Sequence, residues 1–226
     1  LHINPETAIG DAEISYNIRA IHEVGHSLLI GTEKGLCAMD KATCRIKKID
    51  APQLRGQYIN VILIDKQHRI WLGTRNGIYV LNKNFNVQRH YHAQSASSAL
   101  AGNTVNFIYQ DRNGTIWACL WEKGLARLDA NTNRFISLPP IGIRNNPFKI
   151  LQDKNNRYWI CTWGDGLYAF NPPANATHTA SYQKIPFKND AGYSEKIVYN
   201  ILQDDFNGDI WTLSFSGISC FRTMKN

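Results

Sequence analysis

The chain of 226 residues lacks the cysteine spacing of a disulfide framework or a zinc ribbon. It has five cysteines, an odd number, and no Cys-x-x-Cys pair. Cys37 and Cys44 flank a predicted hairpin turn, and whether they form a disulfide is left open at this point. Cys119 and Cys161 each follow a tryptophan by two residues, and we expect them to be small buried side chains.

The sequence also lacks long apolar runs and known catalytic motifs. No apolar run approaches the roughly 18 residues that a membrane span needs, and the first residues do not have the pattern of a signal peptide. There is no phosphate loop, no Gly-x-Ser-x-Gly elbow and no His-Glu-x-x-His segment. His90 and His92 lie two residues apart on one strand, but a metal needs three or four ligands. We therefore expect no enzyme, no cofactor and no metal site.

The charged residues show no concentration on one stripe. Lys and Arg number 25 against 18 Asp and Glu, which gives a net charge of +7. Most nucleic-acid-binding proteins gather their basic residues on one helix or face, so we expect no nucleic-acid partner here. The positive charge is suited to an acidic ligand.

What the chain does contain is one pattern in five copies: an aliphatic strand, a polar turn, a second apolar strand and a glycine. The copies lie about 40 to 50 residues apart, as in repeat architectures. The anchor residue of the second strand is Leu29, Trp71, Trp117, Trp159 or Trp211. The glycine that opens the third strand is Gly35, Gly77, Gly124, Gly166 or Gly217.

An acidic residue stands at the turn before the anchor in four of the copies. These residues are Asp65, Asp111, Asp153 and Asp204. Calcium ligation is one interpretation of such a recurring acid. Because each lies at the same hairpin turn, we expect it to cap the turn backbone instead.

The repeat predicts an all-β fold. Its strands are rich in Ile, Val, Tyr, Phe and Trp, and no stretch keeps a helical period. Strands that are apolar on both faces, such as 115–121, indicate a sheet packed between two others. We predict a β-propeller of about five four-stranded blades. The Gly-Gly doublet of kelch repeats and the Trp-Asp pair of WD40 repeats are both absent.

The repeats define the expected domain organisation. They occupy approximately 18–57, 58–103, 104–146, 147–197 and 198–226. Residues 1–17 are interpreted as the end of a preceding blade or as a closing strand. We expect residues 1–226 to form a single propeller domain or a segment of a larger propeller of about seven blades.

The repeat resembles the two-component regulator propeller repeat. The clearest copy is Asp65-Lys-Gln-His-Arg-Ile-Trp-Leu-Gly-Thr74, followed by Gly77-Ile-Tyr-Val-Leu-Asn82. The resemblance covers nearly the whole chain, although copies drift at Ala118-Cys119, Cys161-Thr162 and Thr212-Leu213. It implies the periplasmic, ligand-sensing propeller of a hybrid histidine kinase of the Bacteroides type, anchored in the inner membrane and involved in oligosaccharide sensing.

The same resemblance implies partners. They are an oligosaccharide or another small ligand, neutral or acidic, together with further blades and kinase domains of the same full-length protein. A homodimer of the full-length receptor is also implied. Two alternatives stay open: a structural or dimerisation propeller that binds no ligand, and a propeller enzyme akin to streptogramin lyases, whose repeats look similar.

Ligands of propellers usually bind at the end that carries the loop between the second and third strands and the loop between blades. Aromatic side chains there can stack on sugar rings, and charged ones can bond hydroxyls or carboxylates. The candidate ligand-binding residues of the first kind of loop are Arg75, Trp121, Glu122, Lys123, Trp163, Asp165 and Phe215. Arg144 and Tyr193 are the candidates from the loops between blades. Simple packing between blades is the other interpretation of the three aromatic residues.

Overall fold

The computed structural model describes residues 17–94, 100–172, 180–186 and 195–222. Within these ranges the chain consists of β-strands and turns, with one 3-10 helix at Pro52–Leu54. None of the described residues belongs to a helix that is long and apolar enough to cross a membrane. The all-β prediction is confirmed, and the sheets are successive antiparallel blades of the propeller type.

The chain forms two compact units, of which the first is Leu1–Ile108. It holds two four-stranded sheets whose strands pair in chain order. The first blade consists of β1 (Ile18–Val24), β2 (Ser27–Thr32), β3 (Gly35–Asp40) and β4 (Ile46–Lys48). The second blade consists of β5 (Ile59–Ile64), β6 (Ile70–Thr74), β7 (Gly77–Leu81) and β8 (Val87–Tyr91). One hydrophobic core, which includes Leu36, Ile59 and Leu72, is shared by the two blades.

The second unit is Tyr109–Asn226. The third blade begins at the junction of the units and consists of β9 (Val105–Gln110), β10 (Ile116–Leu120), β11 (Gly124–Asp129) and β12 (Arg134–Ser137). The fourth blade consists of β13 (Pro147–Gln152), β14 (Tyr158–Thr162), β15 (Leu167–Asn171) and β16 (Ser181–Ile185). The fifth blade has three strands within the described residues, β17 (Val198–Gln203), β18 (Ile210–Ser214) and β19 (Gly217–Phe221).

The turn acids cap the hairpins, as predicted, and three of them also bind the anchor tryptophan. Asp65 Oδ1 accepts hydrogen bonds from the backbone N–H of Gln67 and Arg69, while its Oδ2 accepts one from Trp71 Nε1 at 2.7 Å. Burial opposes ionisation of Asp65, but the bonds from Trp71 and Arg69 outweigh it and lower the pKa of this carboxyl group. The acid therefore ties the turn to the blade core.

The same bond recurs in two later blades. Trp117 Nε1 donates to Asp111 Oδ2, and Trp159 Nε1 donates to Asp153 Oδ2, both at 2.8 Å. In the fifth blade the turn is one residue longer, and Asp204 caps it through the backbone N–H of Phe206 at 2.8 Å.

Close packing requires a small residue two positions after the anchor of the second strand. A Cβ atom added to Gly73 would lie 2.5 Å from Val61 Cγ1 and 2.8 Å from Val105 Cγ1. Cys119 and Cys161 occupy this place in the third and fourth blades, and both are fully buried, as predicted. Burial raises the pKa of both thiols, which keeps them protonated and unreactive.

Cys37 and Cys44 do not form a disulfide. Both thiols are free, as are the other three. Cys37 on β3 is paired with Lys48 on β4, whereas Cys44 lies in the turn between these two strands with a positive φ of 56°. The register of the hairpin thus places the two cysteines out of line with each other.

The innermost strand carries a β-bulge at the same point in four blades. In each, the inner strand has one residue more than its partner strand. In the first blade, for example, Ile18 pairs with Thr32 and Ala20 pairs with the adjacent Gly31, so Arg19 is left unpaired. The extra residues are Arg19, Asn60, Phe148 and Tyr199. A bulge leaves its extra residue out of the ladder and can redirect the side chain, which makes this position important for the site.

Candidate functional site

The loops after the second strands are hydrogen-bonded to the segments that connect one blade to another. In the first unit, Arg75 N donates to Tyr58 O at 3.2 Å. In the second, Gly124 N donates to Asn145 O at 3.1 Å and Trp163 N donates to Asn146 O at 2.9 Å. The two kinds of loop therefore lie at one end of their blades, as expected from the repeat.

Five aromatic side chains of the second unit form a continuous cluster at this end. The ring centroids of Trp121 and Trp163 are 6.4 Å apart, and those of Trp163 and Phe215 are 5.9 Å apart. Phe148 lies 5.7 Å from Trp163, and Tyr199 lies 5.9 Å from Phe215. We call these five residues the aromatic cluster. The structure thus brings together the three aromatic residues that the sequence singled out.

Two features of the repeat build the aromatic cluster. Trp121, Trp163 and Phe215 come from the loops after the second strands of three successive blades. Phe148 and Tyr199 are the bulge residues of β13 and β17. Sequence reasoning missed these two, because the bulge position holds a different residue type in each blade and shows no recurrence.

The aromatic cluster is partly open to solvent. Phe215 is 70% exposed and Trp121 is 37% exposed, whereas Trp163 is half-buried at the centre. Trp163 and Phe215 meet edge to face at 75°, and the other two rings on Trp163 are tilted by 39° and 52°, so none of these rings covers its neighbour face to face. Packing and exposure therefore coexist, and the arrangement presents apolar faces that a ligand can contact.

Charged residues flank the aromatic cluster on the same loops. Glu122 and Lys123 are both exposed and follow Trp121 directly. Glu122 has a positive φ of 56°, and its backbone N–H donates to Asn146 Oδ1 at 3.3 Å. The loop is thus anchored through its backbone, and both charged side chains project from an anchored turn.

Asp165 and Arg144, predicted as separate ligand-binding residues, are bonded to each other. Asp165 is buried, and its Oδ2 accepts a hydrogen bond from Arg144 N at 2.8 Å. A Cβ atom on Gly164 would lie 2.3 Å from Arg144 Cδ, so this glycine gives the arginine side chain room to cross the loop. Asp165 therefore positions the loop that carries Arg144, and Arg144 itself is exposed.

Two polar pairs support the strands beneath the aromatic cluster. Lys149, next to Phe148, donates to Asn200 Oδ1, and burial lowers the pKa of this lysine. Ser216, next to Phe215, donates to the buried carboxylate of Glu195.

Two of the sequence candidates, Arg75 and Tyr193, remain. Arg75 is in the first unit, with its guanidinium over the ring of Tyr58. Tyr193 lies outside the described residues. His90 stacks on Tyr79 at 3.9 Å. Among the residues that the structure describes, no group of three or more His, Cys, Asp or Glu could hold a metal ion.

Comparison with known families supports the resemblance seen in the repeats. The sequence profile of the two component regulator propeller family matches residues 53–76 and 99–121. The resemblance to this repeat is thereby confirmed. No curated protein matches the chain.

Several solved structures share the fold. The extracellular domain of a putative hybrid two component system from B. thetaiotaomicron is 25% identical, with a TM-score of 0.70 over 96% of this chain and 28% of that one. The extracellular domain of a putative one component system from that bacterium is 22% identical, with a TM-score of 0.68 over 95% of this chain and 29% of that one. Virginiamycin B lyase from Staphylococcus aureus is 14% identical, with a TM-score of 0.61 over 92% of this chain and 71% of the lyase.

These similarities do not all support the same conclusion. The family match and the first structure together make the chain a propeller related to the extracellular domains of Bacteroides two-component systems. The lyase likeness shows a common fold alone. The chain spans less than a third of the length of the first two relatives.

Proposed function

We propose that this propeller is the extracytoplasmic ligand-sensing part of a two-component receptor and that it binds an oligosaccharide at the aromatic cluster. The observation that carries the proposal is the contact of Trp121, Trp163 and Phe215, which come from three successive loops. Similarity to an extracellular domain of a putative hybrid two component system supports the receptor context and an extracytoplasmic, periplasmic location.

Chemistry favours a saccharide as the ligand. The C–H-bearing face of a sugar ring is apolar and packs on aromatic rings, while its hydroxyl groups bond to charged side chains at the edge. The aromatic cluster offers exposed ring surface, and Glu122, Lys123 and Arg144 supply charged groups on adjacent loops. A ligand that contacts several loops at once would favour one arrangement of the blades, and such a preference is what a sensor transmits.

The remaining parts of the receptor belong to the proposal as well. The relative from B. thetaiotaomicron is more than three times as long as the matched segment. We therefore place further blades and a kinase in the same full-length protein, and we assign dimerisation to that complete receptor. Virginiamycin B lyase shares only the fold, and its activity is not extended to this chain.

Trp163→Ala is expected to weaken saccharide binding by about 30-fold or more, because removing a central aromatic contact typically costs at least about 2 kcal/mol. A glycan array with the 226-residue chain first identifies an oligosaccharide that binds. Titration calorimetry then compares the variants. Trp163→Phe keeps a ring at the centre of the aromatic cluster and should recover most of the affinity.

Trp211→Ala serves as the matched control, since Trp211 is an exposed tryptophan outside the aromatic cluster. It should leave the affinity within about twofold, which is under 0.5 kcal/mol. An unchanged affinity in a well-folded Trp163→Ala variant would refute the aromatic cluster as the binding site. An array without any binding saccharide would count against the proposed function itself.

A second candidate function is a propeller that pairs with further blades or with its own copy and binds no ligand. The fifth blade favours it, because Ile218 is 69% exposed. The residues at the same repeat position in the three preceding blades are fully buried; they are Ile78, Leu125 and Leu167. An apolar face of this kind is typical of an interaction surface.

Ile218→Asp tests this candidate by sedimentation velocity. If the face mediates pairing, the chain should associate as its concentration rises, and the variant should remain monomeric. Ile143→Asp is the control, because Ile143 is 96% exposed in a loop. A chain that stays monomeric at every concentration, or equal effects of both variants, would contradict the pairing of this face with its own copy.

A further inference from the structure

Two guanidinium groups of the first unit lie over one tyrosine ring. Arg75 Cζ is 3.7 Å from the centroid of the Tyr58 ring, and Arg19 Cζ is 5.4 Å from it. Both arginines are exposed, and Tyr58 is half-buried. The two like charges repel each other, while the attraction of each guanidinium to the ring offsets part of that repulsion.

The backbone fixes where these side chains start. Arg19 is the bulge residue of β1, so it has no cross-strand partner, and the bulge redirects its side chain. Arg75 lies in the turn after β6, and its N–H donates to Tyr58 O at 3.2 Å. Thr74 Oγ1 closes the same turn by donating to Gly77 O at 3.0 Å and accepting from Asn76 N at 2.8 Å. The arginines are thus positioned before any ligand arrives.

Among the described residues, no salt bridge joins a carboxylate to either of these two arginines. Within the described residues, the salt bridges join Lys41 to Glu23, Arg55 to Asp50 and Arg69 to Asp65. Glu33, in the corresponding turn of the first blade, accepts a hydrogen bond from Asn17 Nδ2. In the described part of the chain, neither Arg19 nor Arg75 donates a side-chain hydrogen bond. Stacking occupies a face of a guanidinium and leaves its N–H edge available.

We propose that Arg19, Tyr58 and Arg75 form an oxoanion-binding site for the carboxylate or sulfate group of an acidic saccharide. A guanidinium can bind either group through two parallel N–H···O hydrogen bonds. Stacking on the tyrosine ring fixes the orientation of the guanidinium plane. The assignment of the ligand as a saccharide rests on the proposed function. Oxoanion binding itself is independent of the aromatic cluster and of that function.

The test uses the 226-residue chain and backbone amide NMR at constant ionic strength. Sodium glucuronate and sodium sulfate are the oxoanion probes, and glucose and sodium chloride are the references. Glucuronate or sulfate should shift the amide signals of Tyr58 and Arg75 and bind at least about 10-fold more tightly than glucose or chloride, as expected for a charge-assisted pair of hydrogen bonds. Comparing glucuronate with sulfate shows which of the two oxoanions the site prefers.

Arg75→Gln and Arg19→Gln should each remove most of this preference. Arg55→Gln makes the same change of charge only three residues from Tyr58, at an arginine already bridged to Asp50, and should leave the preference intact. Equal losses in Arg55→Gln and Arg75→Gln, or oxoanion binding no tighter than chloride, would overturn the site. Failure of neutral saccharides to bind the aromatic cluster would leave this result unaffected, so the two proposals fail separately.

Discussion

Asp111→Ala is expected to lower the free energy of unfolding by about 3 to 5 kcal/mol, because it leaves several buried donors without an acceptor. Asp111 Oδ2 accepts from Trp117 Nε1 and from the Tyr158 hydroxyl, both at 2.8 Å, and Oδ1 accepts from Thr115 N at 2.9 Å. Burial and the bond to Asp111 raise the pKa of Tyr158, so its hydroxyl stays protonated and donates. Equilibrium unfolding in urea measures the loss.

Asp204→Ala is the matched control, since Asp204 occupies the same turn position in the fifth blade. Its Oδ1 accepts from the exposed backbone N–H of Phe206. We expect a loss of about 1 kcal/mol, the usual cost of a lost capping bond. If the two variants were equally destabilised, the bond to the anchor tryptophan would not be the source of the stability.

Gly77→Ala is expected to cost about 3 to 5 kcal/mol, the sum of left-handed backbone strain and a steric clash. Gly77 has a φ of +91°, and a Cβ atom there would lie 2.1 Å from the carbonyl oxygen of Tyr91. That oxygen belongs to the backbone of β8, so the clash can be relieved only by moving a strand. Thermal and urea unfolding should both show the loss.

Gly114→Ala separates the two causes. Gly114 has nearly the same φ, +88°, but the nearest atom to its Cβ position is 3.8 Å away. Only the strain applies, so about 1 to 2 kcal/mol should be lost. Similar costs at both glycines would show that the close approach between Gly77 and Tyr91 contributes nothing.

The sequence predicted the scaffold because scaffold residues recur. The acids, the tryptophans and the glycines stand in register along the chain, and their recurrence indicated strands, turns and blades. It did not indicate that Asp65 and Trp71 touch. A hydrogen bond between two recurring positions depends on how the hairpin folds the second strand back over its turn, and spacing alone does not reveal this.

The site was predictable only in part, for the opposite reason. Trp121, Trp163 and Phe215 were found because they interrupt a repeat at one place, and the structure brings them together. Phe148 and Tyr199 were missed, since the bulge position holds a different residue type in each blade and the strand pattern does not show where a bulge falls. The bond between Asp165 and Arg144 depends on loop conformation, which the pattern of strands does not determine.

The β-bulges also allow residues at the candidate site to differ without weakening the pairing of the strands. Arg19, Phe148 and Tyr199 have no cross-strand partner in the ladder, while the paired residues on either side keep the strands in register. Substitution at these positions can therefore change the candidate site and leave the pairing of the strands unchanged. A bulge thus lets the residue type vary from blade to blade, from arginine to phenylalanine to tyrosine, while the strands stay paired.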